Sequence, residues 1–378
     1  MKIVILGPAH PYRGGIAALN ERLAVELQKE GHEVKIVTFT LQYPGFLFPG
    51  KSQFADGAAP ENLVIDRKIN SVNPLNWLTV GRQLRREKPD LLIARFWVPF
   101  IGPSLGTICR IVRKNRRTKI IALTDNIVPH EKKPGDRLLT AWFLKACQGV
   151  VVMSKSVLDD LNTFDRRKPR RFGPHPIYDH YGKITSREEA LRKLNLDPAF
   201  NYLLFFGLIR DYKGLDLLIE ALGQPLLADL KIKLLVAGEF YTDEEKYRDQ
   251  VKQLSLEERI IFYNQYIPNN EVENYFNAAD LVVQPYKTAT QSGVTQVAYH
   301  FNKPMLVTDV GGLGEIVPHE KAGYVVAPSP AVIAEAIRDF YTNNRKTFFE
   351  NGVKEEKKRF GWDNFTRLFY ELMEEIGK

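Results

Sequence analysis

The sequence predicts an α/β protein built from two Rossmann-like domains, and three features carry that expectation. Short β-branched or Leu-rich runs alternate with amphipathic segments along the whole chain, the pattern of parallel sheets covered on both faces. The alternation comes as two series, separated by a Pro-, Arg- and Gly-bearing stretch near 168–201. At 378 residues the chain is longer than one hydrophobic core usually supports.

In the first series the strand-like runs are Lys2–Leu6, Val34–Phe39, Leu91–Ala94, Lys119–Leu123 and Val150–Met153, with helical patterns at Ile16–Glu30 and Leu138–Ala146. In the second they are Tyr202–Phe206, Lys233–Ala237, Ile260–Tyr263, Leu281–Gln284 and Met305–Val307. Helical patterns there fall at Leu215–Leu222, Glu244–Leu254, Asn270–Ala278, Gly293–Phe301 and Ala331–Tyr341. The expected domains are residues 1–185 and 186–361. A final helix lies within 362–378, where Phe365, Leu368, Phe369, Leu372 and Met373 recur at three- and four-residue steps. Such a stripe needs a surface to cover.

Composition is that of a globular enzyme, 44% hydrophobic and 26% charged. Cys109 and Cys147 carry no metal or redox spacing, which fits a reducing cytoplasm. The opening apolar run ends at Gly7-Pro8, too short for a signal peptide. Prolines, glycines and Arg110 exclude a membrane span across 96–112. The net charge of +8 is unevenly placed: residues 1–180 hold 29 Lys and Arg against 16 Asp and Glu. Basic clusters at 82–86, 110–119 and 166–171 suit an anionic membrane surface or a phosphorylated acceptor. No zinc finger, RNA-recognition or helix-turn-helix signature is present, so no nucleic-acid partner is expected.

The most informative stretch is Leu203–Gly214. An apolar run ends at Gly207, Arg210 and Lys213 follow three residues apart, and a helical pattern begins at Leu215. A buried parallel strand would deliver two cations and a helix start to one point at its carboxyl end, the ligand side of an open α/β sheet. Two cations beside free backbone N–H groups suit a pyrophosphate. Further on, Gln284–Gln296 leaves a strand and opens a helix, with small residues at Ala289, Ser292 and Gly293; Lys303–Val317 is a second strand ending in a glycine-rich turn. Gly7-Pro8-Ala9 lacks the spacing of a nicotinamide fingerprint.

These stretches, with Val236–Glu239, Tyr266–Val272 and Ala278–Pro285, resemble the donor domain of a GT-B glycosyltransferase of family 4, the retaining, nucleotide-sugar-dependent transferases. Gly14-Gly15-Ile16-Ala17 and Gly31-His32-Glu33-Val34 are similar to that family's N-terminal domain. The resemblance implies two Rossmann-like domains facing across a cleft, the first binding acceptor and the second donor, with the C-terminal helix returning to the first. It implies that Arg210 and Lys213 hold the donor diphosphate and stabilise the charge of the departing group. Donor contacts extend to Gly15, Gly207, Glu239, Thr290, Gln291, Ser292, Gly293 and Gln296. There is no Asp-x-Asp metal motif, so neither metal nor other cofactor is expected, the nucleotide-sugar being a co-substrate.

Two departures stand out. Many members carry two Glu residues eight positions apart in the donor loop, where this chain has Thr288 and Gln296. Members often place a His after the strand at 119–123, where this chain has Asp125, followed by Asn126 and, five residues on, His130. Asp125 is therefore the candidate for polarising a sugar hydroxyl, and Arg13, Asn126, His130 and Trp97 are acceptor candidates. The aromatic loops at 43–50 and 95–100 would stack on sugars, insert at a lipid interface or pack into the core. The expected activity is hexosyl transfer from a nucleoside-diphosphate sugar to a glycan or lipid-linked glycan, in the cytoplasm or on the inner membrane face. A nucleotide-sugar epimerase or a catalytically silent GT-B scaffold is the alternative.

Overall fold

A computed structural model describes residues 1–45, 52–55, 58–129, 133–289 and 292–377. The chain divides into two compact units, residues 1–175 with 362–378, and residues 176–361. The first unit contains β1 (Lys2–Leu6), α1 (Gly15–Lys29), β2 (Glu33–Leu41), β3 (Val64–Asn70), α2 (Pro74–Glu87), β4 (Leu91–Phe96), α3 (Gly102–Arg113), β5 (Lys119–Thr124), α4 (Asp136–Ala146), β6 (Gly149–Val152), α5 (Lys155–Asn162) and β7 (Arg170–Phe172). Among the described residues its sheet has seven strands in the order β3-β2-β1-β4-β5-β6-β7, every pairing parallel.

The second unit contains α6 (Arg187–Lys193), β8 (Asn201–Phe206), α7 (Leu215–Leu222), β9 (Ile232–Ala237), α8 (Glu245–Gln253), β10 (Ile260–Tyr263), α9 (Val272–Ala278), β11 (Leu281–Gln284), α10 (Gly293–His300), β12 (Met305–Thr308), α11 (Leu313–Ile316), β13 (Gly323–Val326), α12 (Pro330–Thr342) and α13 (Lys346–Glu356). Its described sheet has six parallel strands, β10-β9-β8-β11-β12-β13. Central strands in both sheets are buried along their length, as in LLIARF of β4 and YLLFF of β8. That explains why they read as continuous apolar runs: helices cover both faces.

Both sheets reverse their winding once, between β1 and β4 and between β8 and β11. At such a switch point the loops leaving two neighbouring strands diverge to opposite faces and open a crevice beyond the carboxyl ends.

The last helix, α14 (Trp362–Gly377), belongs to the first unit. Phe365, Phe369 and Leu372 of its stripe are buried. It lies on β5, β6 and β7, close enough that a Cβ on Gly173 would stand 2.2 Å from Leu368 Cδ1. Arg171 of β7 holds Glu371 and Glu375 at 3.0 and 2.9 Å, and Arg22 of α1 lies over Trp362 at 4.6 Å. Replacing the fully buried Phe369 by Ala should remove about 3–5 kcal/mol from the first unit. Urea unfolding followed by a probe in that unit would measure it; a loss under 1 kcal/mol would mean α14 is not part of its core.

Candidate functional site

At the β8/β11 switch point of the second unit two glycines stand at positive φ. Gly207, directly after β8, has φ +96°, and Gly214, before α7, has φ +69°. A Cβ on Gly214 would lie 2.0 Å from the Pro285 carbonyl oxygen, which follows β11. The Lys287 N–H donates to the Tyr212 carbonyl at 2.7 Å, so the loops after β8 and β11 are bound together. The loop after β9 joins them: Gly238 has φ +153°, and a Cβ there would meet Gly207 O at 2.1 Å. Ile209 N–H donates to Glu239 O at 2.8 Å and Tyr241 N–H to Ile209 O at 2.9 Å, extending the β8–β9 pairing beyond the strands.

Arg210 and Lys213 stand on this platform. Lys213 is buried, its Nζ 3.2 Å from the position a Cβ on Gly207 would take. Arg210 is half-buried. Neither side chain makes a hydrogen bond or ion pair among the described residues; each lies instead over an aromatic ring, Arg210 over Tyr241 at 5.2 Å and Lys213 over Tyr286 at 5.7 Å. Burial first, and the Arg210 charge second, push the Lys213 ammonium down to about 7. A desolvated cation with no counter-charge favours deprotonation, and an approaching anion would reverse that.

The helix start after β11 completes the group. Val294 of α10 is 3.7 Å from the same Gly207 Cβ position, so the first turn of α10 and Lys213 abut one glycine. Ser292 caps α10, its Oγ accepting from Val294 N–H at 3.2 Å and lying 3.2 Å from the Tyr286 hydroxyl. Gly293 is the first residue of α10, with the Tyr178 ring 3.0 Å from where its Cβ would be. Glu239 is buried beside Gly238. Gln296 is fully buried, and its amide oxygen and nitrogen have no hydrogen-bond partner among the described residues; the same holds for Gln284 at the end of β11. Thr288 is exposed. Thr290 and Gln291 lie outside the described residues.

In the first unit the expected carboxylate has a partner that its motif did not reveal. Asp125 follows β5, and Arg95 of β4 grips it with two hydrogen bonds, Nε to Oδ2 at 2.7 Å and Nη2 to Oδ1 at 2.5 Å. Asp125 is therefore one half of a buried ion pair rather than a free carboxylate facing a sugar. Burial raises its pKa and Arg95 opposes the rise. His175 is buried nearby, and desolvation with the Arg95 charge drives it down to about 3, so its ring is neutral. A Cβ on Gly7 would stand 2.8 Å from Arg95 Cβ and 2.7 Å from Asn20 Nδ2, so glycine there admits both side chains. The sequence did carry a signal: an arginine inside the apolar run LLIARF requires a buried acid, and Asp125 stands at the end of the next strand.

The donor candidate Gly15 and the described acceptor candidates of this unit follow strands of the same sheet. Gly15 is the first residue of α1, exposed, after the N-cap Gly14 that supplies no side-chain cap. Arg13 is half-buried, with its N–H on Gln53 O at 3.0 Å. Trp97 packs on the core, its indole N–H donating to the Tyr43 hydroxyl at 2.6 Å and its ring edge-on to Phe39 at 6.0 Å. Asn126 is half-buried beside Asp125. His130 and the aromatic residues 46–48 lie outside the described residues. No three His, Cys, Asp or Glu side chains among the described residues converge as metal ligands, and no described helix is long and apolar enough to cross a membrane.

Comparison with known proteins follows the same division. The Glycosyltransferase Family 4 profile matches residues 13–173, and the profile of glycosyl transferases group 1 matches residues 186–358. An uncharacterised glycosyltransferase of Methanocaldococcus jannaschii is 25% identical over 97% of this chain and 96% of its own length. The D-inositol 3-phosphate glycosyltransferase 1 of Catenulispora acidiphila is 31% identical over 47% of this chain and 44% of its own length. Among solved structures, Anabaena HepE in complex with UDP aligns over 99% of this chain and 100% of its own, with a TM-score of 0.73 at 18% identity. Sucrose-phosphate synthase of Thermosynechococcus elongatus aligns over 98% and 99%, with a TM-score of 0.72 at 18% identity.

The electrostatics of Lys213 give a stability test. Its ordinary pKa of 10.5 falls to about 7 in the fold, so between those values the unfolded chain binds more protons than the native one. Stability then rises with pH across that window, and the penalty of holding a charged Lys213 is fully present below about pH 7. Lys213→Met should therefore melt higher than wild type near pH 6.5, with the advantage shrinking as pH climbs towards 10.5. Thermal melts across that range check it; a Met variant that is less stable at pH 6.5 would mean the ammonium has a stabilising partner.

Proposed function

Because this chain belongs to the GT-B glycosyltransferases of the family 4 type, we propose that it moves a hexosyl unit from a nucleoside-diphosphate sugar to a hydroxyl of a saccharide or lipid-linked saccharide, with retention of configuration. The observation that carries the reading is the pair Arg210 and Lys213: two cations without acceptors among the described residues, at a switch point and beside the start of α10. A diphosphate supplies the missing anions. Anabaena HepE, with the same fold, has been crystallised with UDP and with UDP-glucose, which supports a nucleotide-sugar as the ligand class.

In this mechanism the sugar–oxygen bond breaks with its electron pair passing to the diphosphate, whose growing charge meets Arg210, Lys213 and the N–H groups of α10. The acceptor oxygen attacks from the face the leaving group vacates, and its proton passes to the departing phosphate oxygen. The neutralising charge comes from protein cations, so a divalent metal is not required. Gly15, Gly207, Glu239, Ser292, Gly293 and Gln296 are assigned to the diphosphate and sugar, as are Thr290 and Gln291 on sequence grounds alone. Arg13, Trp97, Asn126 and, on sequence grounds alone, His130 are assigned to the acceptor, with the Arg95–Asp125 pair as a fixed polar wall.

The exposed guanidinium groups of Arg82, Arg85 and Arg86 on α2 make no ion pair among the described residues, and Arg82 and Arg86 line a groove of about 430 Å³ with Thr79, Gln83 and Glu87. They support placement of the enzyme on an anionic membrane surface, facing the cytoplasm, where a lipid-linked acceptor would be found.

Arg210→Ala and Lys213→Ala should each lower kcat/KM about 100- to 1,000-fold while leaving the circular dichroism spectrum unchanged. Screening UDP-, GDP- and ADP-sugars by thermal shift identifies the donor, since a ligand at 100 times its Kd adds about 2.7 kcal/mol. Wild-type turnover in both variants would remove the diphosphate from this site. Conversion of donor without any acceptor would point to epimerisation, and donor binding with neither transfer nor hydrolysis to a silent scaffold.

A further inference from the structure

A cation that serves an anionic ligand must meet two conditions that conflict. It has to be held in place before the ligand arrives, and it has to remain uncompensated. A carboxylate partner satisfies the first by defeating the second, as Arg95 and Asp125 illustrate in the first unit. An aromatic ring has no net charge, yet its face attracts a cation through the ring quadrupole. We propose that Tyr241 and Tyr286 are positioning residues whose ring faces seat the Arg210 guanidinium and the Lys213 ammonium without supplying a counter-charge, so that both remain available to diphosphate oxygens.

The surrounding acids fit this division. Asp211 is next to Arg210 in the chain, yet its Oδ1 is taken by Lys246, by Thr242 Oγ1 at 3.0 Å and by the Tyr247 hydroxyl at 3.2 Å. Asp216, three residues after Lys213, takes Lys287 Nζ at 2.5 Å. The two carboxylates nearest these cations in sequence, Asp211 and Asp216, are thus turned onto other partners.

The two tyrosines, by contrast, are placed by contacts of their own. Tyr241 is placed by the backbone bridge that carries its N–H to Ile209 O, one residue before Arg210. Tyr286 is buried, held by its hydroxyl on Ser292 Oγ, by Thr308 Oγ1 donating to its carbonyl at 2.6 Å and by Tyr212 edge-on at 6.1 Å. The Tyr286 ring is thus held with its face on Lys213, and the backbone at Tyr241 is held where its ring lies over Arg210.

This inference rests on the diphosphate reading, and the experiment separates the two. Inorganic pyrophosphate is titrated calorimetrically into the full-length wild type and into Arg210→Ala, Tyr241→Leu, Tyr241→Phe and Arg210→Ala/Tyr241→Leu. Tyr241→Leu should weaken pyrophosphate about fivefold, and Tyr241→Phe, which keeps the ring, should recover most of the loss. The double variant should bind no more weakly than Arg210→Ala alone, because the ring acts only through the guanidinium. Wild-type affinity in Tyr241→Leu, equal losses for Leu and Phe, or additive losses in the double variant would each overturn the inference while leaving the clamp intact. Wild-type affinity in Arg210→Ala would overturn the clamp itself and the inference with it. Tyr286→Phe and Tyr286→Leu repeat the comparison for Lys213, with the Tyr241 pair deciding if the Leu variant of the buried ring fails to fold.

Discussion

An ammonium group kept in the interior without an acceptor is what the second unit is arranged around. Taking a charge out of water is unfavourable by several kcal/mol unless something repays it, and nothing in the described residues does so for Lys213. The glycines at 207, 214 and 238 make the arrangement possible. Each stands at positive φ, and a side chain on any of them would meet Lys213 or the backbone of a neighbouring loop. Three loops from three strands can then close on one point. The unmatched charge is kept where a polyanion would satisfy it, which is where functional sites keep such liabilities.

The first unit uses similar ingredients to the opposite end. Its buried cation, Arg95, is matched by Asp125 in a two-bond geometry, and His175 beside them stays neutral because a further positive charge could not be accommodated. Such a pair is rigid and carries little net field, so it suits a wall that orients neutral hydroxyl groups. A matched pair in one unit and an unmatched pair in the other give the two switch points different chemical tastes, one for polar neutral ligands and one for anions. That asymmetry follows from which residues stand after β4, β5 and β8, not from the fold, which is nearly the same in both units.

Much of this was legible in the sequence, for a physical reason. Strands buried on both faces are continuous apolar runs, and β1, β10 and β11 fall on the expected residues. The strands that escaped notice lack that signature. β3 is an edge strand, VIDRKIN, with Ile69 alone fully buried; β7 has three residues and none buried; β13 is four residues beginning at Gly323. Helices α2 and α3 were obscured by Pro74 and Pro103, which stand in their first turns, where proline is tolerated. In the site, Gly207, Arg210 and Lys213 could be found because spacing along the chain reports them. Arg95 was signalled only by a charge inside an apolar run, and Tyr241 and Tyr286 could not be tied to their partners, since those contacts run between loops after different strands.

The two positions where the donor loop departs from the family pattern acquire a meaning from the same electrostatics. Carboxylates at 288 and 296 would place negative charge before and inside α10, whose first turn shares Gly207 with Lys213. A carboxylate at the fully buried position 296 would lower the positive potential of that region. Gln296 is polar and uncharged, so it avoids that outcome, although both its amide atoms and those of Gln284 are left without partners. Each unpaired buried polar group costs about 1–3 kcal/mol, and a threonine at 288 adds no charge. The loop therefore gives up hydrogen-bond satisfaction and keeps the positive potential intact, the choice expected of a site whose ligand brings its own negative charge.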